Sequence, residues 1–238
     1  MKNPNSGHRE RLKERFRECG LEKFEEHNIL ELLLFYAIPR RDTNKTAHAL
    51  IEWFGSIANV FDASFNDLCE IDGISEHSAT LIKMIPQLSA AYRISRSTED
   101  VSLTDLETVR RHLSNYFIPA QSERVVCLIF DAAGAFIATR ELGDGNAVAS
   151  EVSPRKIAEY VLAARGSSVI ISHFHPTCRV VPSVADIRAT GTLRRILAGI
   201  DIDLVEHIIV ARNGETLPVI EHIQSDPELL RVFYNRDR

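Results

Sequence analysis

The spacing of the apolar residues changes near the middle of the chain, and this change limits the folds available to it. In the first half the apolar residues recur at helical intervals, and short gaps separate the periodic segments, as in a compact helical domain. After about residue 105, short runs rich in β-forming residues alternate with helix start signals. The fold class predicted is therefore mixed α/β, with an all-α N-terminal domain followed by an α/β domain. Helices are predicted at 29–34, 46–54, 65–71 and 78–94.

The second half contains the signals of a sheet covered by helices. Ser153 followed by Pro154 predicts one helix N-terminus, and Ser183 begins another helix that runs to Ala198. The polar segment 96–105 is predicted to be a linker, which places the domains at 1–95 and 106–238. Strands are predicted at 125–130, 135–142, 168–175 and 204–211, and the hairpin turn Asn213-Gly214 leads into a fifth at 215–220.

Charge and cysteine content bear on partners and location. The formal net charge of −5 gives no electrostatic reason to expect nucleic acid or an anionic membrane as a partner. The N-terminal stretch has no apolar core, and the apolar run 29–38 is too short to span a bilayer. The four cysteines are far apart in sequence and form no Cys-x-x-Cys pair, which is typical of reduced thiols. We expect a cytoplasmic protein with no membrane partner. The sequence contains no signal for its oligomeric state.

Two histidines occur at the end of the predicted strand 168–175. His173 and His175 are two residues apart, so on a strand they project from the same face. Asp186 follows in the first turn of the next helix. Two imidazoles and one carboxylate leave a fourth position for water, which is typical of a catalytic zinc. Ser183-x-x-Asp186 is equally the pattern of a capping-box helix start, so the spacing alone leaves both interpretations open.

These residues carry a resemblance to a known family. The stretch resembles the JAMM metalloprotease motif, His-x-His-Pro followed by six residues and then Ser-x-x-Asp. All five motif residues are present at that spacing: His173, His175, Pro176, Ser183 and Asp186. The chain is similar more specifically to the bacterial RadC-like family (UPF0758 type), on its segments 7–11, 31–42 and 207–210. The resemblance covers nearly the whole chain. It implies a C-terminal JAB/MPN-type metalloprotease-like domain in which His173, His175 and Asp186 hold one Zn²⁺.

Beside the motif, the sequence departs from the family pattern. Phe174 stands where the family usually has Asn, Thr177 and Cys178 stand where it has Ser-Gly, and Glu206 replaces an Asp. None of these changes removes a ligand, so they bear on the shape of the substrate cleft. If the loop after His175 folds back, the Cys178 thiolate could occupy the open zinc position, whereas a thiol without contact to zinc is the simpler expectation.

The resemblance also implies the residues of catalysis. JAMM proteins use a glutamate that opens an early strand as the base, and Glu123 opens the predicted strand 125–130. Glu141 and Glu151 are the alternatives for this role. Ser183 is predicted to donate a hydrogen bond to the developing oxyanion, unless its hydroxyl serves as the helix cap. His207, inside an apolar strand, is expected to be a core or supporting residue that does not bind the metal.

Two functions from different classes follow. The leading hypothesis is a zinc-dependent hydrolase that cleaves a peptide or isopeptide amide bond in a protein or peptide-like substrate. The alternative is a non-catalytic or DNA-associated module with a structural metal, because RadC-like proteins have been linked to DNA repair. Residues 68–82 resemble a helix-hairpin-helix element, but Ser75 replaces the second glycine of its phosphate-binding turn. Residues 60–93 carry two cations against five acidic side chains, so we expect weak or no binding of nucleic acid.

Overall fold

The structure, a computed structural model, describes residues 4–97, 101–143 and 152–234 of the chain. The predicted α/β class is confirmed, since the N-terminal part of the chain is helical and the second half contains a mixed sheet. The chain divides into two compact units, Met1–Leu88 and Ser89–Arg238. This division precedes the predicted linker at 96–105, so the bounds 1–95 and 106–238 stay a prediction. Among the described helices, none is both long and apolar enough to cross a membrane.

Helices build the first unit around a main apolar core, in which Leu30, Leu34 and Leu50 are fully buried. The helices are α1 (Pro4–Cys19), α2 (Glu26–Ala37), α3 (Asn44–Phe54), α4 (Ile57–Asp62), α5 (Phe65–Cys69) and α6 (Glu76–Ser97), which continues into the second unit. The predicted helices correspond to α2, α3, α5 and α6, while α4 was not predicted and α5 ends before residue 71. Local signals set several ends, since Gly55 closes α3 with a left-handed φ of 85° and Ser56 caps α4.

Polar contacts fasten α1 to α2. The Arg9 guanidinium donates to the carbonyls of Ile38 at 2.6 Å and Pro39 at 3.0 Å, which satisfies groups left free at the end of α2. The buried carboxylate of Glu31 accepts a hydrogen bond from His8 Nε2 at 3.0 Å. His8 and Arg9 therefore attach the charged N-terminal stretch to α2 and to the residues that follow it.

One five-stranded sheet organises the second unit. The strands are β1 (Arg124–Phe130), β2 (Phe136–Gly143), β3 (Ser168–His175), β4 (Asp203–Ala211) and β5 (Thr216–Pro218). The strand order is β2-β1-β3-β4-β5; β3 and β4 are parallel, and the other neighbours are antiparallel. The helices are α7 (Leu106–Tyr116), α8 (Pro154–Ala163), α9 (Val184–Ala198), α10 (Val219–Gln224) and α11 (Pro227–Tyr234).

Alternate residues of the central strands belong to different cores. Val125 and Ile171 lie in the core that α8 and α9 cover, whereas Val126 and Phe174 lie in the core that α7 covers. Val125 is directly opposite His173 in the antiparallel pair of β1 and β3. Because paired residues project from the same face of a sheet, His173 lies on the face of α8 and α9.

An irregularity in β4 decides which of its residues share that face. Val169 pairs with Leu204, but Ile170 pairs with Glu206, so β4 contains one extra residue at this point. As a result, the residue opposite Ile171 is His207 and not Glu206. A bulge of this kind re-aims side chains, and here it brings His207 to the face that carries His173.

The fifth strand is shorter than predicted. The predicted strand 215–220 was wrong for Val219 and Ile220, which begin helix α10. The cause lies on another strand: the buried Glu206 carboxylate accepts backbone hydrogen bonds from Ile220 at 2.7 Å and Glu221 at 3.1 Å. A carboxylate at these N–H groups stabilises a helix start.

Replacement of Glu206 is therefore expected to destabilise the second unit. Glu206→Ala leaves three backbone N–H groups without their acceptor, those of His207, Ile220 and Glu221. The cost expected is about 2–4 kcal/mol of the free energy of unfolding, measured by urea denaturation. Glu221→Ala is the control, because it removes a neighbouring exposed carboxylate without removing the cap. Equal unfolding midpoints for the two variants would contradict the capping role.

Candidate metal centre

Strand β3 and helix α9 bring together the three predicted ligands, His173, His175 and Asp186. One nitrogen or oxygen atom from each of them lies within 4.8 Å of the other two. The Nε2 atoms of the two histidines are 2.6 Å apart, and Asp186 Oδ1 lies 3.8 Å from His173 Nε2. His173 and Asp186 are buried and His175 is half-buried, so the group is accessible from the His175 side. The group could hold a metal ion.

The contacts of His175 leave one of its ring nitrogens for a metal ion. Its Nδ1 lies 3.1 Å from the carbonyl oxygen of Arg179, which can only accept, so Nδ1 is the donor in this bond. The other ring nitrogen, Nε2, faces His173 Nε2 at 2.6 Å. Imidazole nitrogens and a carboxylate oxygen are thus close together in this group, and these are common ligands of divalent metal ions.

The two buried histidines of the site are neutral at pH 7. Burial is the main cause that lowers the pKa of His173 to about 3; a charge on His207 would lower it further, and Asp186 opposes the shift. Burial likewise lowers the pKa of His207 to about 3. Neutral imidazole is the form that binds metals, so the surroundings favour metal binding over protonation.

Ser183 holds the carboxylate of Asp186 at the start of α9. Its hydroxyl accepts from the Asp186 N–H at 3.1 Å and donates to Asp186 Oδ2 at 2.7 Å, while the Ser183 N–H donates to the same Oδ2 at 2.8 Å. This capping box occupies Oδ2 and leaves Oδ1 on the side of His173. The cap is thus present, and the predicted oxyanion role of Ser183 stays a proposal, since the hydroxyl would have to turn away from Asp186.

The predicted base lies just outside the paired part of the sheet. Glu123 directly precedes β1 and is half-buried. Within β1, Val125 is directly opposite His173, and the pairing of β1 with β3 begins at Arg124 opposite Phe174. If the alternation of side chains is extended back by one residue, Glu123 is expected on the face of Val125, near His175. The role of Glu123 as base therefore stays a prediction.

Neither alternative glutamate is placed there by the described part of the structure. Glu141 pairs with Val126, whose side chain points to the opposite face of the sheet. There its carboxylate accepts hydrogen bonds from Arg124 Nη1 at 3.2 Å and from the Tyr116 hydroxyl at 3.4 Å. Glu151 lies outside the described residues. Cys178 is exposed, and it is not a member of the group that could hold a metal.

Two further residues lie behind the ligands. His207 Nε2 is 2.7 Å from His173 Nδ1. His207 thus contacts one of the predicted ligands and is not itself a member of the group that could hold a metal, which agrees with the supporting role expected from the sequence. Thr190, whose Oγ1 is 2.6 Å from His207 Nδ1, was not singled out. The signal that could have found it is its spacing, since Thr190 follows Asp186 by one helical turn on the same face of α9.

Comparison with known proteins places this centre in a family context. A family model described as "RadC-like JAB domain" matches residues 102–221. A UPF0758 protein of Fusobacterium nucleatum subsp. nucleatum is 35% identical over 219 residues, which cover 88% of this chain and 94% of that protein. A UPF0758 protein of Cupriavidus pinatubonensis is 32% identical over 203 residues, which cover 85% of this chain and 89% of that protein. The matched region contains all the residues of the candidate metal centre, and neither name states an activity.

Proposed function

This chain belongs to the RadC-like JAB domain family, and on that premise we propose that it is a zinc-dependent hydrolase that cleaves a peptide or isopeptide amide bond. The wider superfamily includes the JAMM hydrolases. The observation that carries the proposal is the convergence of His173, His175 and Asp186 into one group that could hold a metal ion. A structural zinc usually has four protein ligands, whereas three ligands leave a position for water.

The proposed reaction assigns roles to five side chains. His173, His175 and Asp186 hold the metal, which when bound acidifies water to a pKa of about 7 and polarises the scissile carbonyl. Glu123 accepts a proton from the attacking water and delivers it to the leaving amine. The Ser183 hydroxyl turns from Asp186 Oδ2 to the developing oxyanion, while the Ser183 N–H remains on Oδ2 and keeps the carboxylate in place.

A groove on the surface of α9 is available for a substrate. It measures about 510 Å³ and runs between α9 and the start of α8. Its lining is mainly apolar, with Leu193 and Ile196, and includes Arg188 and Ala185, the residue before Asp186. Sites for organic ligands are usually concave and mainly apolar with a few polar groups, so we propose that part of the substrate binds here.

The proposal can be tested with a proteome as substrate. Zinc-loaded protein is incubated with a mixture of cellular proteins, and newly formed amines, both α-amino and lysine ε-amino, are labelled and identified by mass spectrometry. We expect products that disappear after removal of the metal with a chelator and return when zinc is restored. An identical product profile for the zinc-loaded and metal-free protein would contradict hydrolase activity.

Nucleic-acid binding is expected to be weak. Lys83, one of the two cations between residues 60 and 93, donates to the carbonyls of Phe61 at 2.9 Å and Ala63 at 2.7 Å, so its ammonium group is engaged within the helical unit. With so few cations available, the logarithm of the association constant should fall with the logarithm of salt concentration with a slope no steeper than about −2. Fluorescence anisotropy of a labelled DNA duplex across a salt series measures this slope. Tight binding with a much steeper slope would favour the DNA-associated module instead.

A further inference from the structure

A chain of short hydrogen bonds joins two of the ligands from behind. Thr190 Oγ1 lies 2.6 Å from the backbone carbonyl oxygen of Asp186 and 2.6 Å from His207 Nδ1. His207 Nε2 in turn lies 2.7 Å from His173 Nδ1. All four residues are buried, each with at most 4% of its surface exposed. Their polar atoms must therefore satisfy one another without bulk water.

The chemistry of these groups determines which atom donates in each bond. A carbonyl oxygen can only accept, so the single hydroxyl proton of Thr190 goes to Asp186. Thr190 Oγ1 must then accept from His207 Nδ1–H. His207 Nε2 consequently has a lone pair and accepts from His173 Nδ1–H. With neutral rings, no other arrangement of protons satisfies these three contacts. It leaves His173 Nε2 without a proton on the side of His175 Nε2, 2.6 Å away, so that this contact is completed by a cation between the two nitrogens.

We propose that Thr190 and His207 are positioning residues that hold His173 in the Nδ1–H tautomer, so that its Nε2 lone pair faces the metal. The proposal rests on the metal site of the proposed function and does not depend on hydrolysis. Metal-binding histidines generally donate their second ring N–H to an acceptor, which fixes the tautomer and the ring orientation. Here the acceptor is another imidazole, which could itself adopt either tautomer. The hydrogen bond with Thr190 determines which tautomer His207 adopts.

The same chain of hydrogen bonds links three elements of the fold. It starts at the backbone of Asp186 on α9, passes through His207 on β4 and ends at His173 on β3. The extra residue in β4 is what turns His207 to this face of the sheet. A change at Thr190 therefore affects a ligand that it does not touch, without removing any ligand atom.

Two substitutions at Thr190 separate this role from simple packing. Thr190→Val keeps the size and shape of the side chain but removes the hydroxyl, whereas Thr190→Ser keeps the hydroxyl and removes a methyl group. We expect Thr190→Val to weaken zinc binding by about 10- to 100-fold, and Thr190→Ser to stay close to wild type. A packing role predicts the opposite order, because only Ser leaves a gap in the buried site. Zinc affinity is measured by competition with a chromogenic chelator, using the full chain.

Substitutions at His207 provide a second comparison. His207→Gln can place its amide oxygen near the position of Nε2 and still accept from His173, whereas His207→Phe keeps a planar ring without an acceptor. We expect zinc affinity to be retained better by Gln than by Phe. In the zinc-loaded wild type, nitrogen-15 NMR of the histidine rings should show His173 protonated at Nδ1, with His207 protonated at Nδ1 as well.

The outcomes distinguish this inference from the proposed function. Equal zinc affinity in wild type and Thr190→Val, or His207 protonated at Nε2 in the zinc-loaded protein, would overturn the positioning role. A wild-type protein that binds no zinc would overturn the metal site and the positioning role together. Zinc binding that depends on the Thr190 hydroxyl, in a protein that hydrolyses no amide, would support the positioning role and contradict the hydrolase.

Discussion

Glu123→Gln is expected to retain its zinc and its fold and to hydrolyse the amide substrate about 10²- to 10⁴-fold more slowly than wild type. The amide is close in size to the carboxylate but cannot accept the proton of the attacking water. Glu123 is half-buried, directly precedes β1 and is not one of the three predicted ligands. Its replacement should therefore leave the group of His173, His175 and Asp186 intact.

The chain offers a matched control for this variant. Glu141→Gln makes the same chemical change on β2, but Glu141 projects from the opposite face of the sheet, where it pairs with Arg124 at 3.2 Å. We expect this variant to hydrolyse at nearly the wild-type rate. Rates are measured on a substrate identified with wild-type protein, with the zinc content of every sample determined in parallel. Normal hydrolysis by Glu123→Gln, with an inactive Glu141→Gln or Glu151→Gln, would show that another carboxylate is the base.

Loss of a ligand is expected to have the second large effect. Purified wild-type protein should contain about one zinc per chain, and His175→Ala and Asp186→Ala should lose most of it, because only three protein side chains are predicted to hold the ion. His175 is the more informative position, since it is half-buried and outside the apolar cores. Asp186→Ala additionally removes the capping-box contacts with Ser183, so its effect includes a loss of helix stability.

Metal analysis and stability measurements together test this prediction. Zinc at a hundred times its dissociation constant should raise the free energy of unfolding of wild type by about 2.7 kcal/mol and have little effect on His175→Ala. His77→Ala is a suitable control, because it removes an exposed imidazole from the helical unit. Full zinc content in both ligand variants would end the assignment of these residues as ligands.

Much of the candidate site could be predicted from local sequence patterns. Strand β3 has the predicted bounds, 168–175, and Ser153 and Ser183 cap the helices that were expected to start after them. These features depend on residues within a few positions of one another, namely an apolar run, a capping side chain and a following helix. The alternation of side chains along a strand was sufficient to place His173 and His175 together.

Helix α7 and the position of Thr190 also have local signals in the sequence. Helix α7 was not predicted, although Leu106, Val109, Leu113 and Tyr116 form an apolar stripe at helical spacing. The one-turn spacing of Asp186 and Thr190 was likewise available from the sequence. The functional role of Thr190 was not, because it depends on His207 from a different strand.

By itself, the sequence determined the class of fold, the family and the three residues that converge as a possible metal site. Tertiary structure decided that Glu141 lies on the opposite face of the sheet from the two histidines, since that follows from the pairing of β1 with β2. It also decided the start of α10, where Glu206 supplies a cap from β4, and the contact of His207 with His173, which needs an extra residue in that strand. The physical reason is the same in each case. Strand register and long-range hydrogen bonds depend on how distant segments pack together, and local propensities do not encode that arrangement.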